Sequence, residues 1–216
     1  ELAEGTPLNA AIQALLAKLF AEHMPIVFDG NGYSEEWLAE AERRGLPNLR
    51  DTVAALAHYG DKDVMDVFDR HNVLSPREML SRQEILLESY THTIAIEGHT
   101  ALKLGRTRIL PVALAYQTRL ADAASAAASL VGDAEPEKAY FLRVRGHVRG
   151  LIAALDALEA VLDARFGDTA LAKAEYARDR VLPAMNACRG HADALECLCA
   201  NHDWPLPSYA ELLWLH

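Results

Sequence analysis

Two groups of residues in this chain have the types and spacing from which metal chemistry is built. Glu84, Glu88 and His92 stand four apart and so share one helix face, with Glu97 and His99 a little farther on. Carboxylates and imidazoles on a bundle helix suggest a di-iron site. Such a site takes Glu-x-x-His pairs from two helices, and the chain contains no Glu-x-x-His. Polar contacts between helices are the simpler role for these side chains. The second group, His191, Cys197, Cys199 and His202, offers the ligand types of zinc. Its spacing is wrong, because Cys197 and Cys199 would point about 200° apart on a helix. Cys199 instead continues an apolar stripe, where a free cysteine acts as a small hydrophobe.

Asp29-Gly-Asn-Gly32 has the glycine density of a phosphate loop. It lacks the Gly-Lys-Ser/Thr ending of a P-loop and the third spaced glycine of a dinucleotide fingerprint. Its glycines are expected to supply positive φ in a tight turn. No Ser-His-Asp, Cys-His or paired-carboxylate arrangement can be assembled from the spacing. The sequence therefore assigns no catalytic, cofactor-binding or metal-binding residue.

The elements that would carry these residues are helices. Thr6-Pro7 reads as an N-cap and first helical position, with Ile12, Leu15, Leu16, Leu19 and Phe20 on one face and Pro25 as the stop. Residues 25–28 are the only candidate strand. Ser34 caps the next helix, Glu35 and Glu36 suit its positive end, and Gly45 closes it. Asn48 is expected to cap a third helix reaching Tyr59, and Asp61 to start a fourth that ends by His71-Asn72. Ser75-Pro76-Arg77-Glu78 is a capping box with proline at the first helical position. Beyond it Leu80, Leu87, Ile94 and Ala101 recur every seven residues, predicting one long helix to Val131, kinked at Pro111, or two in near line.

A turn at residues 132–136 leads to a helix over 137–166. Val144, Val148, Leu151, Leu155, Leu158 and Leu162 alternate there by four and three, one stripe. Gly167-Asp168 breaks the chain, Asp168 can cap the last long helix, and Pro183 should kink it. Its stripe runs Leu171, Ala174, Val181, Met185, Cys188, Ala192, Leu195 and Cys199. Three long helices joined by short turns predict an all-α fold, an antiparallel bundle with short N-terminal helices packed on it. We expect one helical domain over residues 1–216. It would have an entry segment at 1–74, the bundle at 75–203 and a tail at 204–216, too aromatic to stay in water, lying across the bundle.

Composition narrows the partners. With 31 acidic and 21 basic residues the formal net charge is −10, which disfavours nucleic acid and anionic membrane surfaces. No stretch approaches the roughly 20 apolar residues of a membrane span. Three cysteines, 188, 197 and 199, make a poor disulfide framework and suit a reducing cytoplasm.

Four stretches, in order, carry a family resemblance. They are residues 26–50, with Asp29-Gly-Asn-Gly32 and Gly45-Leu-Pro47-Asn48; Ser81-Arg-Gln-Glu-Ile-Leu-Leu-Glu-Ser-Tyr90; Arg180-Val-Leu-Pro-Ala-Met185; and Trp204-Pro-Leu-Pro-Ser-Tyr-Ala-Glu-Leu-Leu213. Together they make the chain resemble the C-terminal helical region of type III glutamine synthetases, the large bacterial form, over most of residues 20–216. The start at Glu1, without an initiator Met, is what a piece of a longer protein would show. The resemblance implies an enzyme that joins ammonia to glutamate through a γ-glutamyl phosphate, using ATP and magnesium or manganese bound upstream. It implies for this region a role in support and assembly, with the catalytic domain and other subunits of a homo-oligomer as partners. It also implies a possible interface at the 29–44 loop and helix, through Tyr33, Trp37, Arg43 and Arg44, where Trp37 and the Arg43-Arg44 pair have no evident local partner. The alternatives are a free-standing helical interaction module and, behind it, a metal-binding helical bundle.

Overall fold

The computed structural model describes residues 7–164, 167–207 and 209–213. The described residues are helical, with no strand among them, and the chain divides into two compact units, Glu1–Asp51 and Thr52–His216. In the first unit α1 (Leu8–His23) has Pro7 at its cap position; Thr6, the expected cap, lies outside the described residues. α1 passes into a 3₁₀ turn at Met24–Ile26. Pro25 fits the start of that turn, Val27 beyond it is extended, and the strand expected at 25–28 does not form. α2 (Glu35–Arg43) follows. Not one residue of α1 is buried, and Leu8, Ile12, Leu15, Leu16, Leu19 and Phe20 all lie exposed.

The second unit opens with α3 (Thr52–Ala57), a 3₁₀ turn (His58–Gly60) and α4 (Lys62–Arg70). Helix does not start at Asn48 as expected; its side-chain amide lies against the Arg50 guanidinium. α5 (Pro76–Leu104) begins with the capping box in full: Glu78 N–H donates to Ser75 Oγ and Ser75 N–H donates to Glu78 Oε2. A π turn (Gly105–Ile109) carries it without a break into α6 (Leu110–Val131). Gly132 then takes φ 74°, the left-handed value that ends helices cheaply in glycine. α7 spans Glu135–Asp163. α8 (Ala170–Tyr176), a second π turn (Ala177–Val181) and α9 (Leu182–Leu198) form the last rod. Thr169, not Asp168, caps it, accepting from Ala172 N–H at 3.1 Å. A short α10 (Tyr209–Leu212) lies in the tail.

The expected three long helices are therefore two bulged rods and one regular helix between them. Neither Pro111 nor Pro183 simply kinks its rod. Proline lacks the N–H for the helical ladder, and its ring strikes the carbonyl four residues back. A widened turn just before it removes that conflict and lets the helix continue. The two π turns also share a sequence, Gly105-Arg-Thr-Arg-Ile-Leu-Pro111 and Ala177-Arg-Asp-Arg-Val-Leu-Pro183. Position by position the seven residues have the same sequence of buried, half-buried and exposed side chains.

The core forms around α7. All six residues of its predicted stripe are buried, from Val144 to Leu162, against Ile94, Ile109 and Ala113 of the first rod and Ala177, Val181, Cys188 and Leu195 of the second. Gly98 faces Leu162 while Gly105 faces Leu155, so numbers rise along one helix as they fall along the other and the pair is antiparallel. At the far end Tyr140 of α7 donates to the carbonyl of Leu198 at 2.7 Å. On α5, Leu87 and Ile94 are buried as predicted. Leu80 is half exposed, and Met79 takes the inward place. A smaller core joins Val53 and Leu56 of α3 to Leu87 and Ala174. Gln83 fastens it by donating to the carbonyls of Leu56 and Ala57 that α3 leaves unpaired. Of the tail, Trp204 and Leu206 pack on the main core, and Asp203 just before it is held by Arg119 of α6.

Candidate interface site

Tyr33, Trp37, Arg43 and Arg44 all belong to the loop and helix of the first unit, and local chemistry builds that segment. Asn31 Oδ1 accepts from Tyr33 N–H at 3.0 Å, and the Asn31 carbonyl accepts from both the N–H and the hydroxyl of Ser34. This turn delivers Ser34 as N-cap, its Oγ accepting from Trp37 N–H at 3.4 Å. At the other end Gly45 has φ 73°. Leu46 N–H reaches the Ala41 carbonyl and Gly45 N–H the Glu42 carbonyl, the paired bonds of a Schellman stop. Gly32 does not take the expected positive φ, and neither does Gly30. A Cβ there would sit 2.7 Å from the Phe28 ring, so close approach, not backbone freedom, asks for glycine.

Trp37 and Arg44 turn out to have local partners. The Trp37 and Phe28 rings lie 4.4 Å apart, tilted by 37°. Arg44 stands over both, its guanidinium 5.9 Å from one ring centre and 6.0 Å from the other. It also donates to the Val27 carbonyl at 2.9 Å and to Glu40 Oε1 at 2.5 Å. Arg43 grips the same carboxylate with two bonds, of 2.7 and 2.5 Å. Its side chain nevertheless remains 71% exposed. Tyr33 is fully exposed. Trp37 and Arg44 thus build the unit, while Tyr33 and Arg43 face outward from it.

Two expected results follow from this cluster. Trp37→Ala should lower the stability of the first unit by removing the ring that Phe28 and Arg44 pack on, whereas Tyr33→Ala should leave it within about 0.5 kcal/mol. Thermal unfolding of the two variants followed by amide NMR of residues 27–46 decides this. Equal losses would place Tyr33 in the structure too. The second result concerns pH. Hydrogen bonds from Arg43 and then Arg44 hold the Glu40 carboxyl at about 2, down from an ordinary 4.5. The unfolded chain then binds the proton more tightly than the folded one. The stabilisation is complete above pH 4.5 and is lost as pH falls through about 2. The stability gap between the protein and its Glu40→Gln variant should narrow steadily over that range. A gap independent of pH would show that the charge contributes nothing.

Neither metal-like group gathers into a metal site among the described residues. Glu84, Glu88 and His92 are exposed on α5. Cys188 and Cys199 are buried and Cys197 is exposed, and burial pushes the Cys188 and Cys199 thiols up, away from the thiolate that metals bind. Cys199 sits just past the end of α9 rather than within it, yet keeps its inward place. Among the described residues no three His, Cys, Asp or Glu side chains stand close enough to share an ion. No helix among them is long and apolar enough to cross a membrane.

Comparison with known proteins bears on the whole chain. Residues 11–128 match the family model of the glutamine synthetase C-terminal domain. A type-3 glutamine synthetase of Dictyostelium discoideum is 32% identical over 214 residues, covering 96% of this chain and 29% of that protein. A glutamine synthetase of Bacteroides fragilis is 33% identical over 98% of this chain and 30% of its own length. One from Butyrivibrio fibrisolvens is 31% identical over 97% and 30%. The chain thus spans about 30% of the length of the curated relatives it matches.

Proposed function

Because the chain belongs to the glutamine synthetase family, through that family's C-terminal domain, we propose that it is the helical support and assembly region of a glutamate–ammonia ligase. The whole protein would use ATP and magnesium or manganese, with its reacting groups outside these 216 residues. Acyl-phosphate chemistry needs metals and cationic groups gathered on the transferring phosphate. We assign no such step to the residues of this chain. Its partners on this reading are the catalytic part of its own polypeptide and other subunits of a homo-oligomer. Unpaired thiols at all three cysteines fit the reducing cytoplasm where we place it.

One observation carries the assembly role. α1 exposes a full apolar face, with Leu8, Leu15 and Phe20 each more than half open to water, and contiguous faces of this kind mark interaction surfaces. Tyr33 and Arg43, outward-facing residue types that often dominate interfaces, support a second contact. The test has two arms. The full-length protein should form glutamine from glutamate, ammonia and ATP, whereas the 216-residue chain alone should give no γ-glutamyl product above a blank. Leu15→Glu with Leu16→Glu, or Arg43→Glu, should lower the mass of the full-length oligomer. Turnover by the purified chain, or an unchanged oligomer in all these variants, overturns the reading.

A further inference from the structure

His191, the first member of the zinc-like group, meets a partner that no spacing announced. From α9 it faces His147 of α7, 44 positions earlier, with Nδ1 3.4 Å from Nδ1. The ring centres are 5.7 Å apart and the planes stand at 62°, so the rings meet edge on. Both side chains are half-buried. α7 makes room for this arrangement. A Cβ on Gly150 would stand 2.2 Å from Cε1 and 2.4 Å from Nε2 of His191. That edge of the ring therefore lies on the bare backbone of α7, where any larger residue would drive it off. Nδ1 is the nitrogen that meets His147.

Two imidazoles that meet nitrogen to nitrogen need something between them. A neutral imidazole has one N–H and one lone pair, so two rings that both carry the proton on Nε2 set lone pairs face to face. A proton or a metal ion settles that contact, and the distance favours the ion. N–H hydrogen bonds to oxygen run about 2.7–3.2 Å, and 3.4 Å is long beside them. Two nitrogens on one tetrahedral zinc, each about 2.0–2.1 Å from it, stand about 3.3–3.4 Å apart. We propose that His147 Nδ1 and His191 Nδ1 chelate a divalent cation of the zinc, nickel or copper class and so clip α9 to α7. Imidazole suits these ions, whereas magnesium and calcium take oxygen ligands. Each ring keeps its proton on Nε2. Water completes the coordination, since no third His, Cys, Asp or Glu among the described residues joins the pair.

Zinc chloride is the probe, titrated into the full 216-residue chain with Cys197→Ser in place to remove the exposed thiol. It should bind at a single saturable site. At about 100 times the Kd the melting temperature should rise by roughly 5–10 °C. His147→Ala and His191→Ala should each weaken binding at least about tenfold, because losing even a group that only orients a ligand costs about 10–100-fold. His147→Gln, which keeps a polar side chain, replaces the alanine variant if that one fails to fold. Heteronuclear NMR of the imidazole nitrogens should show zinc moving the Nδ1 signals of these two rings, and magnesium chloride should leave them in place. Absence of saturable binding, undiminished binding in both histidine variants, an equal response to magnesium, or zinc signals on other imidazoles alone overturns the proposal. The pair is then a hydrogen bond between helices.

Discussion

Leu155→Ala should cost the second unit about 2–5 kcal/mol of unfolding free energy, the usual result of deleting a fully buried leucine. Leu155 is wholly buried at the middle of α7, and the neighbouring Leu151→Ala should behave alike. The position allows a sharper test than the loss itself. A Cβ placed on Gly105 would lie 2.5 Å from Leu155 Cδ2, so the leucine occupies the space that the glycine leaves. Alanine at 105 therefore crowds Leu155 in the parent protein but fills part of the void in the Leu155→Ala variant. The pair should be coupled by roughly 0.5–3 kcal/mol, with the double variant more stable than the two single losses imply. Chemical denaturation followed by circular dichroism gives all four values. A loss below about 1 kcal/mol at both Leu151 and Leu155 would mean that the α7 stripe is not the core.

Gly98→Leu should destabilise by about 1–3 kcal/mol or more, through crowding rather than loss. Here the missing side chain is hemmed from two directions. A Cβ would meet Leu162 of α7 at 2.9 Å and Val181, at the end of the second π turn, at 3.2 Å. One neighbour could turn aside; two from different helices cannot both yield without opening the bundle. Gly98→Ala sets the scale, because its helix propensity returns up to about 1 kcal/mol against a smaller clash. The melting temperature should fall roughly 2–4 °C for each kcal/mol lost. A leucine variant as stable as the parent would show that α5 and the second bulge are not in contact at this level.

Much of the architecture was legible because α7 keeps a strict four-three alternation, which only a regular helix in a bundle satisfies. The capping box at Ser75 was legible for a related reason: four residues specify it, and nothing distant is needed. The π turns were not read, yet they left a trace. Buried or half-buried positions run 98, 102, 105, 109, 113, 116 and 120 in one rod and 174, 177, 181, 185 and 188 in the other. Each contains two successive steps of four, the second spanning a Leu-Pro. Reading the prolines alone gave kinks; reading the spacing with them would have given bulges. The surroundings of Trp37 were hidden for another reason. Phe28 reaches it only because a turn of particular geometry folds residues 29–34 back, and no periodicity encodes that path. Arg44 likewise finds Val27 across seventeen positions, a pairing visible only once the loop has closed.

The doubled bulge has a consequence for how this chain tolerates change in length. A π turn holds one residue more than the α-helix it interrupts, so everything after it is rotated by about 100° relative to an uninterrupted helix. Ala113, Tyr116 and Leu120 reach the core only because of that offset, and Met185, Cys188 and Leu195 stand in the same relation to the second bulge. Deleting a single residue between Arg106 and Arg108 would remove the bulge and leave the second half of the rod facing α7, with Pro111 set against the carbonyl four residues back. Deleting one within α6 beyond Ala113 would instead turn everything after it away from α7. Residue number along these rods is in effect an angular coordinate. The turn around Gly132 can lengthen or shorten, whereas the rods outside their π turns can exchange residues but not gain or lose one.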